Sequence, residues 1–213
     1  MAVQVAVPSM RRVNHRVADC CYAADVGTDG ITTVDIPAVA TAGAGVLVNG
    51  QVLAAAGNVI PAVVQTDFLM GRYGRSISVT AGAGGAGTIV GYDYLGQAIR
   101  ESVTLIAGAV VSKKMFKDVA YVIVPAGGTF SIGVGVILGV PYKVLHTALS
   151  GEMTSDVTAA AGALLAGVVT QALGSGDPRG AYTPAAAPDG VRTYRFSCFV
   201  DRSNLHGSAH VIV

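Results

Sequence analysis

Three long stretches of this chain carry no charged residue: Ile36 to Thr66, Val119 to Tyr142 and Val157 to Gly176. Each is long enough to cross a bilayer as a helix. The first is broken by Pro37, Gly43, Gly45, Gly50, Gly57 and Pro61, and the second by Pro125, Gly127, Gly128, Gly133, Gly135 and Gly139. Breakers at that density, with few leucines and no Trp, argue for short buried strands rather than membrane helices. The third stretch is Ala-rich and more helical in composition. Gly162, Gly167, Val168 and Val169 weaken a helix there, so Ala159 to Leu173 reads as a strand with an apolar preamble. No membrane partner is expected.

Most of the chain alternates in period two, with turn residues about every eight to twelve positions, the pattern of a sandwich or barrel. Asn49-Gly50 between Val46-Leu47-Val48 and Gln51-Val52-Leu53 predicts a two-residue hairpin. Strands are predicted at Ser76–Thr80, Thr88–Tyr92, Ala98–Leu105, Val119–Val124, Thr129–Val136, Val140–Leu145, Val191–Val200 and Ala209–Val213. Ala81 to Gly87 reads as a glycine-rich loop and Asp93 to Gly96 as a turn. In Ala98–Leu105, Ile99, Glu101 and Val103 share one face, and Arg100, Ser102 and Thr104 the other. The expected fold is all-β, an antiparallel sandwich of jelly-roll-like kind with little helix. Residues 1–74 read as an N-terminal arm with an added hairpin, and residues 75–213 as the sandwich core, the two forming one continuous domain if no linker divides them.

Only 13% of the 213 residues are charged, against about 25% in an ordinary soluble domain. With 33 Ala, 33 Val and 28 Gly, much of the surface is expected to face other protein. Fourteen basic and 13 acidic residues leave a net charge of +1, which makes no long-range basic field for nucleic acid. Arg11, Arg12 and Arg16 are the densest basic group, on the arm. Cys20, Cys21 and Cys198 are odd in number and two are adjacent, so free thiols and synthesis in the cytoplasm are expected. The N-terminus lacks the basic start and long apolar run of a signal peptide.

Motifs for chemistry do not assemble. Gly82, Gly84 and Gly87 match the dinucleotide-binding spacing, but the next residues, Thr88 to Tyr92, form a strand where that motif needs a helix N-terminus. His206 and His210 flank a turn, with no Glu after His206 as a zinc-protease helix requires. Ser197-Cys198 lies mid-strand with no nucleophile elbow or His partner. Asp19, Asp25, Asp29 and Asp35 are too loosely spaced for a calcium loop. Lys113-Lys114-Met115-Phe116-Lys117 interleaves charge with apolar residues, and reads as a solvated strand connection anchored by Met115 and Phe116. Neither cofactor, metal nor catalytic residue is expected.

Several segments together resemble a recurring hairpin of tailed-phage head proteins: Ser76 to Thr80 with the glycine loop, Gly91 to Gln97, Ile99-Arg100-Glu101-Ser102, Lys113 to Lys117, and Gly133 to Tyr142. Gly176-Asp177-Pro178-Arg179-Gly180, Asp189-Gly190 and Asp201 to Gly207 add to the likeness, which runs from Arg75 to Val213. These are similar to phage capsid decoration (cement) proteins with a jelly-roll-like sandwich. The resemblance implies a structural virion protein on the capsid surface, made in the host cytoplasm, whose partners are the major capsid protein and itself, as a homodimer or homotrimer. It brings no catalytic residues. Arg11, Arg12 and Arg16 are taken as capsid contacts, on an arm expected to order on the particle. The alternatives are a carbohydrate-binding or adhesive sandwich, disfavoured by the lack of Trp, and a hydrolase using scattered carboxylates such as Glu101 or Asp201. A main coat protein would need a long amphipathic helix that is not seen in the sequence.

Overall fold

In a computed structural model the described residues form fourteen strands and one helical turn, with 60% strand and 3% helix. The structure describes residues 29–52, 57–59, 65–158, 162–168 and 172–201. All pairings are antiparallel and build three sheets. In the first, β1 (Asp29–Ile36) pairs with β14 (Tyr194–Asp201), which pairs with β10 (Lys143–Thr154) and its short partner β11 (Val157–Thr158). The second runs β12 (Ala163–Ala166), β13 (Gly180–Thr183), β9 (Thr129–Gly139), β4 (Arg75–Ala81), β7 (Gly108–Val111), with β2 (Gly43–Val52) also on β9. The third runs β3 (Gly57–Val59), β8 (Asp118–Val124), β5 (Gly85–Tyr92), β6 (Ala98–Leu105). One sheet curls into a half-barrel, and the fold is sandwich-like.

Alternation of apolar and small or polar residues sets what each sheet buries. Ile77 and Val79 of β4 and Phe130, Ile132 and Val134 of β9 pack in one cluster with Ile89, Ile99, Val103, Val119 and Val122 of the third sheet. A second cluster joins Val34, Tyr194, Phe196, Cys198 and Val200 of the first sheet to Leu138, Leu164 and Tyr182 of the second. Tyr182 stacks on Phe196 with centroids 4.3 Å apart, and its hydroxyl donates to Glu152 Oε1 at 2.6 Å. β9 therefore serves both cores. β4 takes one of its edges, while β13 and β2 follow each other along the other.

Several strand predictions hold closely: β4, β5, β6, β8 and β9 lie where the alternation places them. The hairpin at Asn49-Gly50 does not form. β2 runs through both residues and pairs with β9, and Gly50 uses its positive φ of 61° inside a bulge, where its amide donates to Ser131 Oγ at 3.0 Å. The turn-forming pair is spent on a bulge because β9 supplies a longer partner than the flanking run could. The glycine-rich loop is shorter than predicted, since Gly85, Ala86 and Gly87 already belong to β5. That glycine motif leads into a strand, as its sequence requires. Within Ala159 to Leu173 only the four-residue β12 is strand among the described residues. β10 extends to Thr154, well past the predicted end, by bulging twice against β14. The predicted strand Ala209–Val213 and His206 and His210 lie outside the described residues. No helix among the described residues is long and apolar enough to cross a membrane.

Candidate interaction surface

The third sheet turns one face to the core and the other outward. On β6, Ile99, Glu101, Val103 and Leu105 are buried, leaving Arg100, Ser102 and Thr104 on the outer face as the alternation predicts. Thr88, Val90 and Tyr92 of β5 share that face, and Tyr92 is 44% exposed. A register shift where Val90 pairs with Tyr121 and Gly91 with Val119 inserts one extra residue into β8, so Tyr121 and Asp118 both lie alongside outward residues of β5. The shift is held by Gln65: its Nε2 donates to Val119 O at 2.9 Å, and Val119 N donates to its Oε1 at 2.7 Å. The result is a sheet face of Thr88, Val90, Tyr92, Tyr121 and Ile123, whose described charged side chains are Arg100 and Asp118. Neither makes an ion pair or side-chain hydrogen bond with the described residues.

Beneath this face lies a buried ionic network that fixes the ends of the sheet. Glu101 accepts from the amides of Lys113 (2.7 Å) and Lys114 (2.8 Å), tying the segment after β7 to β6. Lys114 is buried, and its Nζ donates to Arg100 O at 3.0 Å. Asp177 accepts from Met115 N and Arg179 N, each at 2.9 Å. Arg179 lies 3.6 Å from Asp177, 3.9 Å from Asp93 and 4.4 Å over the Tyr94 ring. Burial pushes Glu101 up to about 7, opposed by those two amides and the Lys114 charge, and burial lowers Lys114 below its usual range. At the other end of the second sheet, the buried Arg75 donates to the carbonyls of Gly135, Ala40 (2.7 Å) and Leu69 (3.2 Å), joining β9 to the segment before β2 and to the helical turn α1 (Asp67–Met70).

Two further features face outward. β1 pairs with β14 over eight consecutive residues without a bulge, and its second edge has no backbone partner among the described residues. A cavity of about 290 Å³ opens between Val111 of β7 and Leu165 of β12, floored by Ile137 and Ala181, with Lys113 and Asp177 at its margin.

Arg11, Arg12 and Arg16 lie outside the described residues. The Lys113–Lys117 group is a strand connection with Met115 and Phe116 fully buried, but Lys114 is buried rather than solvated. Glu101 and Asp201 are not brought together, since Glu101 belongs to the third sheet and Asp201 to the first. Cys198 is buried mid-strand, with its thiol pushed up to about 12 by burial. Among the described residues no group of three or more His, Cys, Asp or Glu could hold a metal. Sequence reasoning missed Asp93, Lys114, Asp177 and Arg179 as one network and Gln65 as the holder of the bulge. The one available signal was charge placed beside glycine and proline, Gly176-Asp177-Pro178-Arg179-Gly180, in a chain that uses charge sparingly. No family model matches the chain, and no curated protein or solved structure is significantly similar to it.

Proposed function

We propose that the chain is a structural virion protein that binds the outer surface of a tailed-phage capsid as a homo-oligomer and cements neighbouring major capsid subunits against internal DNA pressure. The observation that carries this reading is β1. A regular eight-residue edge strand with no bulge, charged only at Asp29 and Asp35, offers a row of backbone donors and acceptors to any other strand. An assembly that covers such an edge turns the hazard into a contact. The segments that resemble decoration proteins support the same reading, as does the low charge. A standard interface of about 1,200–2,000 Å² per contact, repeated over a shell, resists pressure that one copy could not.

The test is to add the purified protein to shells of its phage that lack it. Saturable binding that raises the temperature of shell disruption is expected, and removal of residues 1–16 with Arg11, Arg12 and Arg16 should weaken it. Failure to bind, or binding to glycans on an array instead, would overturn the proposal.

A further inference from the structure

The outward face of the third sheet is self-complementary, and we infer that two copies of this chain pair through it about a two-fold axis. Arg100 on β6 and Asp118 on β8 flank β5, with Arg100 in register with Val90 and Asp118 with Tyr92. At strand spacings of about 4.8 Å and a rise of about 3.4 Å per residue, their Cα positions lie about 12 Å apart across the sheet diagonal, and no ion pair joins the two side chains. Several other exposed charges pair locally: Lys117 with Asp67 at 2.6 Å, Arg192 with Asp189 at 3.1 Å, Arg195 with Asp35 at 2.6 Å. The Arg100 Nε is buried with no hydrogen-bond partner among the described residues.

A two-fold axis lying in the plane of contact, passing between Val90 and Tyr92 and normal to the line joining the two charges, sets Arg100 of each copy opposite Asp118 of the other. Two ion pairs then bracket an apolar centre of Val90, Tyr92 and Tyr121, the arrangement an isologous interface requires. A different protein would have to supply its own matching cation and anion at that separation. A second copy supplies both without further conditions. At the β6 edge of this sheet Ser102 N donates to Leu173 O at 3.0 Å.

The three long strands β5, β6 and β8 give roughly 15 by 25 Å, on the order of 400 Å² per copy, below the roughly 800 Å² of a standard partner surface. The pairing is therefore weak and concentration-dependent, in the micromolar range. On a shell, where neighbours are held in place, the effective concentration populates it. The inference rests on the homo-oligomeric part of the proposed function alone.

Light scattering and sedimentation equilibrium of the full chain, from about 1 to about 500 μM, test it. A monomer–dimer equilibrium is expected, weakened by about tenfold or more in Arg100→Asp and in Asp118→Arg, and restored to within about threefold when both are combined. Circular dichroism checks that each variant is folded. A protein that stays monomeric, forms a trimer, or forms a dimer indifferent to the single reversals would overturn the inference, as would a folded double variant no better than the single ones. A dimer that obeys the charge swap in a protein that fails to bind shells would retain this inference and remove the proposed function.

Discussion

Replacing Asp177 by Ala separates the two halves of the buried network. Its carboxylate accepts two buried amides, Met115 N and Arg179 N, and lies 3.6 Å from the Arg179 guanidinium. Hydrogen bonds to a charged group contribute about 1.5–3 kcal/mol each, and removing one member of a buried pair costs about 3–5 kcal/mol because the remaining groups stay buried and unsatisfied. The expected cost is about 4 kcal/mol, a large share of a domain's typical 5–15 kcal/mol. Arg179→Met should cost less, about 1–2 kcal/mol, because the carboxylates it leaves keep their amide donors. Asp93 retains Leu95 N at 2.9 Å and Gln97 N at 2.8 Å, and Asp177 retains both of its own. Urea unfolding followed by tyrosine fluorescence and circular dichroism measures both. With a slope of roughly 2–3 kcal/mol per M, the midpoint should fall by about 1.5–2 M for Asp177→Ala and by under about 1 M for Arg179→Met. Equal losses, or a larger loss for Arg179→Met, would refute the assignment of the carboxylate as the group that holds the segments together.

Glu101 is raised from 4.5 to about 7 by burial, so the folded state holds its proton more tightly than the unfolded one, and stability attributable to it is full below pH 4.5 and lost as pH rises through about 7. Comparing wild type with Glu101→Gln by unfolding at pH 4.5 and pH 8 should show a relative shift of about 3 kcal/mol in the variant's favour at the higher pH. At Gly91 a Cβ would lie 2.0 Å from Asp118 O, on backbone that cannot yield cheaply. Gly91→Ala should therefore cost about 3 kcal/mol and lower the melting temperature by about 6–12 °C in calorimetry. Cys198, buried and pushed up to about 12, should resist alkylation at pH 8 until the protein unfolds, which peptide mapping of that residue would reveal.

Local pairing was legible in the sequence, and long-range pairing was not. The alternation of Ala98 to Leu105 is imperfect, because Glu101 shares a face with Ile99 and Val103, yet it groups those three on one side and Arg100, Ser102 and Thr104 on the other, as the sheet does. Asn49-Gly50 carries the right φ preference but does not say whether it will be used in a turn or a bulge, which depends on β9 some 80 residues away. Pairing of β1 with β14 joins residues more than 150 positions apart, and no residue in either strand names the other. Half of the interaction face was visible through β6. The other half depends on the β8 bulge and on Gln65, whose amide meets Val119 from 54 residues upstream. The ionic network stayed hidden for the same reason: Glu101, Lys114 and Arg179 become neighbours only once β6, β7 and β13 are in place.

Counting copies of this chain in purified particles of a phage that encodes it, by quantitative mass spectrometry against the major capsid protein, tests the proposed function most directly. The account predicts a copy number of the same order as the coat protein. Absence from the particle would contradict it.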